Sequence, residues 1–220
     1  SLNVPAIALL ERVGASRLSS RLKQAGGHLV LPKDEVPGLA MGLGGVGVTL
    51  QDLAQLYTGL ARLGSPRPLR EIMLAQDKNS DDREPMRLMD QAAAWQVGNV
   101  LLGTPPPENG VHNKIAFKTG TSYGYRDAWS VGFDGRITLG VWVGRPDGAP
   151  VPGLVGRTAA APILFDAFAR TGKTLAALPK APKGVLIAAK ARLPLPLRRF
   201  RPVGELIRTG SDSAQHNKFS

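Results

Sequence analysis

Lys118-Thr119-Gly120-Thr121-Ser122 is the stretch of this 220-residue sequence richest in groups that could act on a ligand. A lysine supplies a compact cation with three donors, and the neighbouring hydroxyls can each give and take a hydrogen bond. Gly120 lets a backbone or a ligand approach closely, because no side chain stands over it. Together these groups suit capture of a carboxylate. Taken alone, Lys-Thr-Gly is a short pattern that chance supplies often, and an ordinary strand entering a turn accounts for it equally well.

Other candidates carry less. Ser1-Leu2-Asn3 sets a hydroxyl and an amide two positions apart, a Ser-x-Asn pattern N-terminal to the lysine run. Ser20-Arg21-Leu22-Lys23 has the spacing of a serine beside a lysine base, but it falls in an amphipathic helix among other basic residues. A solvated helix face explains it, and no nucleophile is assigned; without an activated serine no acyl-enzyme forms. His28, His112 and His216 are scattered, without the spacing of metal ligands, so no metal site and no organic cofactor is expected. Trp129 and Trp142 read as sheet core or sheet face rather than as stacking platforms. The sequence has no cysteine, which excludes disulfides, thiolate metal sites and cysteine nucleophiles.

The formal net charge is +11, and its distribution matters more than its size. Residues 173–208 hold nine Lys and Arg against the single acid Glu205. A tail of that kind could serve nucleic acid or an anionic surface; a solvated charge run in a linker is the simpler reading, and no specific nucleic acid is expected. No run of 18 apolar residues occurs, and Ser1 to Leu10 lack the pattern of a cleavable leader.

The elements that must position these groups follow from the patterning. Val4 to Val13, with Asn3 as N-cap and Pro5 in the first turn, predicts a short helix carrying Ile7, Leu10 and Val13 at helical spacing. Ala15 to Ala25 predicts a second, stopped by Gly26-Gly27. Pro37 to Val48 is rich in glycine and reads as loop. Thr49 and Asp52 then form a capping signal for a helix from Leu50 to Leu63. Residues 76–87 read as an exposed connection before a helix near Met86 to Leu102, which Pro105-Pro106-Pro107 ends. Ile115 to Thr121, Ala128 to Phe133 and Ile137 to Val143 predict three antiparallel strands, the last two joined by a turn at Asp134-Gly135. Thr158 to Ala169 returns to helix. After Gly172, prolines alternate with basic residues, so residues 1–172 are expected to form the folded body and 173–220 a linker or tail outside the core.

The order Ser-x-Asn, helical segment, Lys-Thr-Gly, together with the run from Phe117 to Gly153 and Arg157 to Phe168, resembles the transpeptidase domain of class A penicillin-binding proteins. The resemblance spans roughly residues 1–172 and corresponds to the later part of that domain. It implies a mixed α/β fold of the serine β-lactamase and penicillin-binding type, an antiparallel sheet flanked by helices. It also implies acyl transfer from D-Ala-D-Ala stem peptides of peptidoglycan to an amine, with β-lactams acylating the same serine. Under it Ser1 would join the proton relay and Asn3 would contact the substrate amide. Lys118 would supply positive charge, Thr119 and Thr121 would hold the substrate carboxylate beside Gly120, and the Thr121 N–H would form half of an oxyanion hole. The family's Ser-x-x-Lys motif precedes Ser-x-Asn, so the nucleophile is expected outside this chain and the chain alone is expected to be inactive. A non-catalytic, substrate-binding fragment is the alternative. The resemblance further implies an upstream membrane anchor and glycosyltransferase domain, and a place on the periplasmic face of the bacterial inner membrane.

Overall fold

The computed structural model describes residues 2–31, 36–67, 69, 87–185 and 187. The chain divides into two compact units, Ser1–Lys183 and Gly184–Ser220. In the second unit only residues 184, 185 and 187 are described, so the basic run around Arg198 lies outside the described residues.

The first two helices are α1 (Asn3–Val13) and α2 (Ala15–Gln24). Gly14 divides them at φ 87°, a conformation that a side chain resists, and its N–H closes α1 on the Leu10 carbonyl at 2.7 Å. Helix α1 starts one residue earlier than its capping signal predicts. Leu2 occupies the cap and Asn3 is already helical, with no side-chain cap hydrogen bond. Only Leu10 of α1 is buried, and it sits over Gly42 in a 3₁₀ turn (Leu39–Leu43) within the glycine-rich loop.

Helix α3 (Leu50–Ala61) begins where Thr49 and Asp52 predict. Thr49 Oγ1 accepts from the Asp52 N–H at 3.0 Å and donates to Asp52 Oδ2 at 2.6 Å, while His28 Nδ1 lies 2.8 Å from Oδ1. Burial alone would push the Asp52 carboxyl up, but the hydrogen bonds from Thr49 and His28 outweigh it and hold the group below its ordinary 3.8. Helix α4 (Gln91–Leu102) starts later than the apolar pattern suggests, because Asp90 caps it by accepting from the Ala92 N–H at 2.8 Å. The connection 76–87 lies, except for Arg87, outside the described residues.

Strands β1 (Ala116–Thr121), β2 (Asp127–Phe133) and β3 (Thr138–Gly144) form one antiparallel sheet in the order β1-β2-β3. The β2–β3 turn is fixed by Asp134, whose Oδ1 accepts from the N–H groups of Arg136 and Ile137, each at 2.7 Å. Its Oδ2 accepts from the Ala176 N–H at 2.8 Å, and Gly135 N–H donates to the Ala176 carbonyl at 3.0 Å. Further along, Trp95 Nε1 donates to the Pro179 carbonyl at 3.0 Å, and Leu175 packs against the core. Residues 173–180, expected to run outside the core, are therefore tied along the body by long-range contacts. Prolines and missing periodicity carry no information about what such a segment lies on.

Side chains alternate across the sheet. Phe117, Ala128, Val141 and Leu139 face α5 (Ala161–Arg170), which is preceded by a π turn (Gly156–Ala160). Helix α5 buries Ala161, Leu164, Phe165 and Phe168, one stripe at helical spacing, and Phe117 meets Phe165 edge to face at 5.0 Å. The other face carries Lys118, Gly120 and Ser122 from β1, and Asp127, Trp129, Val131 and Phe133 from β2. Tyr57 of α3 covers Phe133, and Leu50 of α3 covers Gly140. Ala116, Val131 and Phe133 on that face are buried, while Lys118, Gly120, Ser122, Asp127 and Trp129 stay open in part.

Candidate functional site

The open part of the sheet is the floor of a cleft of about 390 Å³. Its walls are the loop from Leu43 to Val48 and the Leu53 and Tyr57 side chains of α3; residues 118–122 of β1 run along it. All five residues of the Lys-Thr-Gly-Thr-Ser run line it; Lys118, Gly120 and Ser122 do so from the open face, whereas Thr119 and Thr121 turn their side chains to the face of Phe117 and Ala128.

Strand β1 pairs only with β2 among the described residues, so one side of it is a free edge. The Ser122 N–H donates to the Asp127 carbonyl at 3.0 Å, which marks Ser122 as a residue whose backbone points toward β2. In an antiparallel pair this direction alternates. Gly120 and Lys118 therefore share it, while Thr119 and Thr121 turn their N–H and C=O groups outward to the edge. The lysine reports the same arrangement: Lys118 Nζ donates to the Thr119 carbonyl at 2.7 Å.

Lys118 is half-buried, and the loss of hydration holds its ammonium below the usual 10.5. No carboxylate forms an ion pair with it among the described residues. It is thus a cation held in a partly dry cleft by the Thr119 carbonyl. Tyr57 stands opposite, its phenol pushed up to about 12 by burial, so it is a neutral donor at physiological pH. A methyl at Gly120 would make an ordinary contact with Trp129 at 3.5 Å. The glycine's contribution is open space over the strand.

Thr121 is held from the other face. Its Oγ1 accepts from the Gly156 N–H at 3.0 Å, leaving its own O–H free to donate. Gly156 lies flat on the Gly120–Trp129 pair. A Cβ there would sit 2.7 Å from the Trp129 carbonyl oxygen and closer still to that of Gly120. The π turn therefore presses directly on the backbone of the motif strand.

Of the other residues read from the sequence, Ser1 lies outside the described residues. Asn3 is exposed at the start of α1 and is not one of the residues lining the cleft; α1 reaches the site indirectly, through the 3₁₀ turn that ends at Leu43. Ser20 and Lys23 are exposed on α2 and likewise do not line the cleft, as a solvated face requires. Three cleft residues escaped the sequence reading. Nothing in the sequence pattern singles out Asp127, and Trp129, expected with Trp142 in the sheet, has its ring on the cleft floor 6.3 Å from that of Trp142. Tyr57 falls within the helix expected from Leu50 to Leu63, and nothing in that pattern singles it out. The available signal was the hairpin register, which puts 127, 129 and 131 on the face of 118 and 120. Among the described residues no group of three His, Asp or Glu side chains could hold a metal ion.

No protein-family profile matches the chain. Individual proteins do. Penicillin-binding protein 1C of Escherichia coli is 41% identical over 168 residues, which covers 74% of this chain and 21% of that protein. Penicillin-binding protein 1B of Vibrio cholerae is 34% identical over 163 residues, 68% of this chain and 20% of that one. The chain thus spans about a fifth of the length of these relatives. The fold matches that of PonA1 from Mycobacterium tuberculosis, solved in complex with penicillin V, at a TM-score of 0.65 and 20% identity, over 80% of this chain and 56% of that one. The expected architecture, a mixed α/β penicillin-binding transpeptidase fold with an antiparallel sheet, is the one observed. Similarity to penicillin-binding proteins 1C and 1B at this level over more than two thirds of the chain, in a fold of that type, makes the chain a member of the class A penicillin-binding proteins, corresponding to the later part of their transpeptidase domain.

Proposed function

We propose that this chain forms one wall of the active site of a peptidoglycan D,D-transpeptidase, the acyl-transfer unit of a bifunctional class A enzyme. The observation that carries the reading is the free edge of β1, where an unpaired lysine cation and the outward N–H of Thr121 meet at one cleft. A D-Ala-D-Ala peptide laid along that edge would place its carboxylate near Lys118 and the Thr119 and Thr121 hydroxyls. The Thr121 N–H would meet the oxyanion as the tetrahedral intermediate forms. Such a donor acts by matching charge that develops only in the transition state.

In this reading the acylated serine comes from a Ser-x-x-Lys segment outside these 220 residues, with Ser1 relaying its proton and Asn3 contacting the substrate amide. The exposed Ser20 does not serve. β-Lactams acylate the same serine, in keeping with the penicillin V complex of the Mycobacterium tuberculosis protein. The products are free D-Ala and a cross-link to an amine of a neighbouring strand. The enzyme works on the periplasmic side of the inner membrane, anchored by a segment outside this chain; no helix among the described residues is long and apolar enough to cross a membrane.

A fluorescent penicillin tests the reading. The full-length protein is expected to become covalently labelled and this chain alone is not. Labelling of the isolated chain would overturn the assignment of the nucleophile, and an unlabelled full-length protein would overturn the transpeptidase reading itself.

A further inference from the structure

The charged groups of the cleft do not all belong to carboxylate capture. Asp127 lines it as well, on the same face as Lys118 but at the other end of the ladder. Its Oδ1 accepts from Trp142 Nε1 at 2.8 Å, and its Oδ2 has no protein donor among the described residues. The neighbouring Arg145 does not neutralise it, being held by Asp147 through two bonds of 3.0 and 2.6 Å. A carboxylate has room for about four hydrogen bonds, so most of its accepting capacity is left for something else.

Its surroundings are built to aim it. The Trp142 indole lies across Gly144, where a Cβ would come within 2.5 Å of Cζ2. Only a glycine lets the ring lie flat and reach Asp127. Trp129 stands beside it, ring centroids 6.3 Å apart and tilted by 56°. A carboxylate met by the Trp142 indole N–H in the plane of its ring, with its second oxygen left over, is suited to an organic cation through a charge-assisted hydrogen bond.

Spacing adds the second half of the argument. Lys118 pairs with Val131, four residues along β2 from Asp127. Four strand residues span roughly 13 Å. The cleft is therefore bipolar, with a cation at one end and an anion at the other. Between them runs a strand edge whose outward groups can pair with an extended chain.

We propose that Asp127, aimed by Trp142, makes this end of the cleft a subsite for a primary ammonium on an extended peptide whose C-terminal carboxylate lies at Lys118. The proposal rests on the transpeptidase reading for the identity of that peptide. It adds that the enzyme selects a free amine about three residues from the carboxylate.

Binding of two probes to the full-length protein tests it: Nα-acetyl-L-Lys-D-Ala-D-Ala, and the same peptide with the side-chain nitrogen also acetylated. Calorimetry is expected to show the free-amine peptide binding about fivefold tighter, the scale of one charge pair at a half-open site. In Asp127→Asn, which keeps the acceptor for Trp142 but loses the charge, the ratio is expected to fall to about one. A ratio near one in the wild type, or a ratio unchanged in Asp127→Asn, would overturn the subsite. Should that variant fail to fold, Trp142→Phe removes the aiming bond and must lower the ratio; an unchanged ratio overturns the proposal equally. Penicillin labelling of the wild type, run alongside, separates the two readings. A ratio that depends on Asp127 in a protein that takes up no penicillin would keep the ammonium subsite and remove the transpeptidase.

Discussion

Phe117 and Lys118 are neighbours on β1 and face opposite ways. Phe117 is 1% exposed and packs with Phe165 and Leu164 in a dry core, while Lys118 enters a cleft where no carboxylate among the described residues pairs with it. The same alternation runs through β2, with Ala128 and Ser130 on the closed side and Asp127 and Trp129 on the open one. The sheet thus carries two surfaces of different purpose one residue apart. Side-chain direction, more than sequence distance, separates stability from function here.

Mutations on the two sides should dissociate these properties. Phe117→Ala should give the largest loss of stability, about 3–5 kcal/mol by denaturant unfolding, because it removes a packed ring and leaves a cavity. Molecules that remain folded should still take up penicillin. Lys118→Ala should do the reverse in the full-length protein. Its acylation rate by a fluorescent penicillin should fall by roughly 10²- to 10³-fold, the scale of losing one preorganised charge or donor, with an unfolding midpoint close to the wild type. Near-normal acylation in Lys118→Ala would remove the lysine from the mechanism.

Gly156 is where the closed side touches the backbone of the open one, so Gly156→Ala should blur the comparison. Its methyl would collide with the carbonyls of Gly120 and Trp129. About 1–3 kcal/mol of stability should go, as in other overpacked sites, and acylation should fall with it through displacement of β1. A variant that loses stability alone would show that the strand edge can shift without consequence. The smallest effect belongs to Asp52, at the start of the helix that walls the cleft. Its carboxyl is held below the ordinary value, so the ionised form stabilises the fold above that value, and the contribution disappears as the pH falls through the lowered one. Wild type and Asp52→Asn should therefore differ in unfolding midpoint near neutral pH and converge in acid. A difference that persists in acid would assign the role to shape instead of charge.

Much of the frame was legible. Thr49 and Asp52 set the start of α3, and Asp134-Gly135 set the β2–β3 turn, because each acts through bonds to residues within three positions. The strands followed from local composition. What escaped depends on distant partners. A period of two separates the faces of a strand but does not say which one a helix will cover, so Asp127 and Trp129 reach the cleft only through their register against Lys118 and Gly120. Asn3 is a residue type that favours caps, yet α1 begins at it and not after it. Residues 173–180 carry no periodic signal, and what holds them comes from far along the chain, the Asp134 carboxylate, the Gly135 N–H and the Trp95 indole among it.

The bond from Lys118 to the Thr119 carbonyl has a meaning for solubility as well. A strand whose outer edge is left unpaired can template the addition of another chain, and proteins commonly blunt such edges with lysine. In the transpeptidase reading the edge stays available to an extended ligand, which leaves charge rather than a covering element to protect it. A charged ammonium resting on one of its carbonyls discourages a second copy from aligning there, and yields to a ligand that brings a carboxylate of its own.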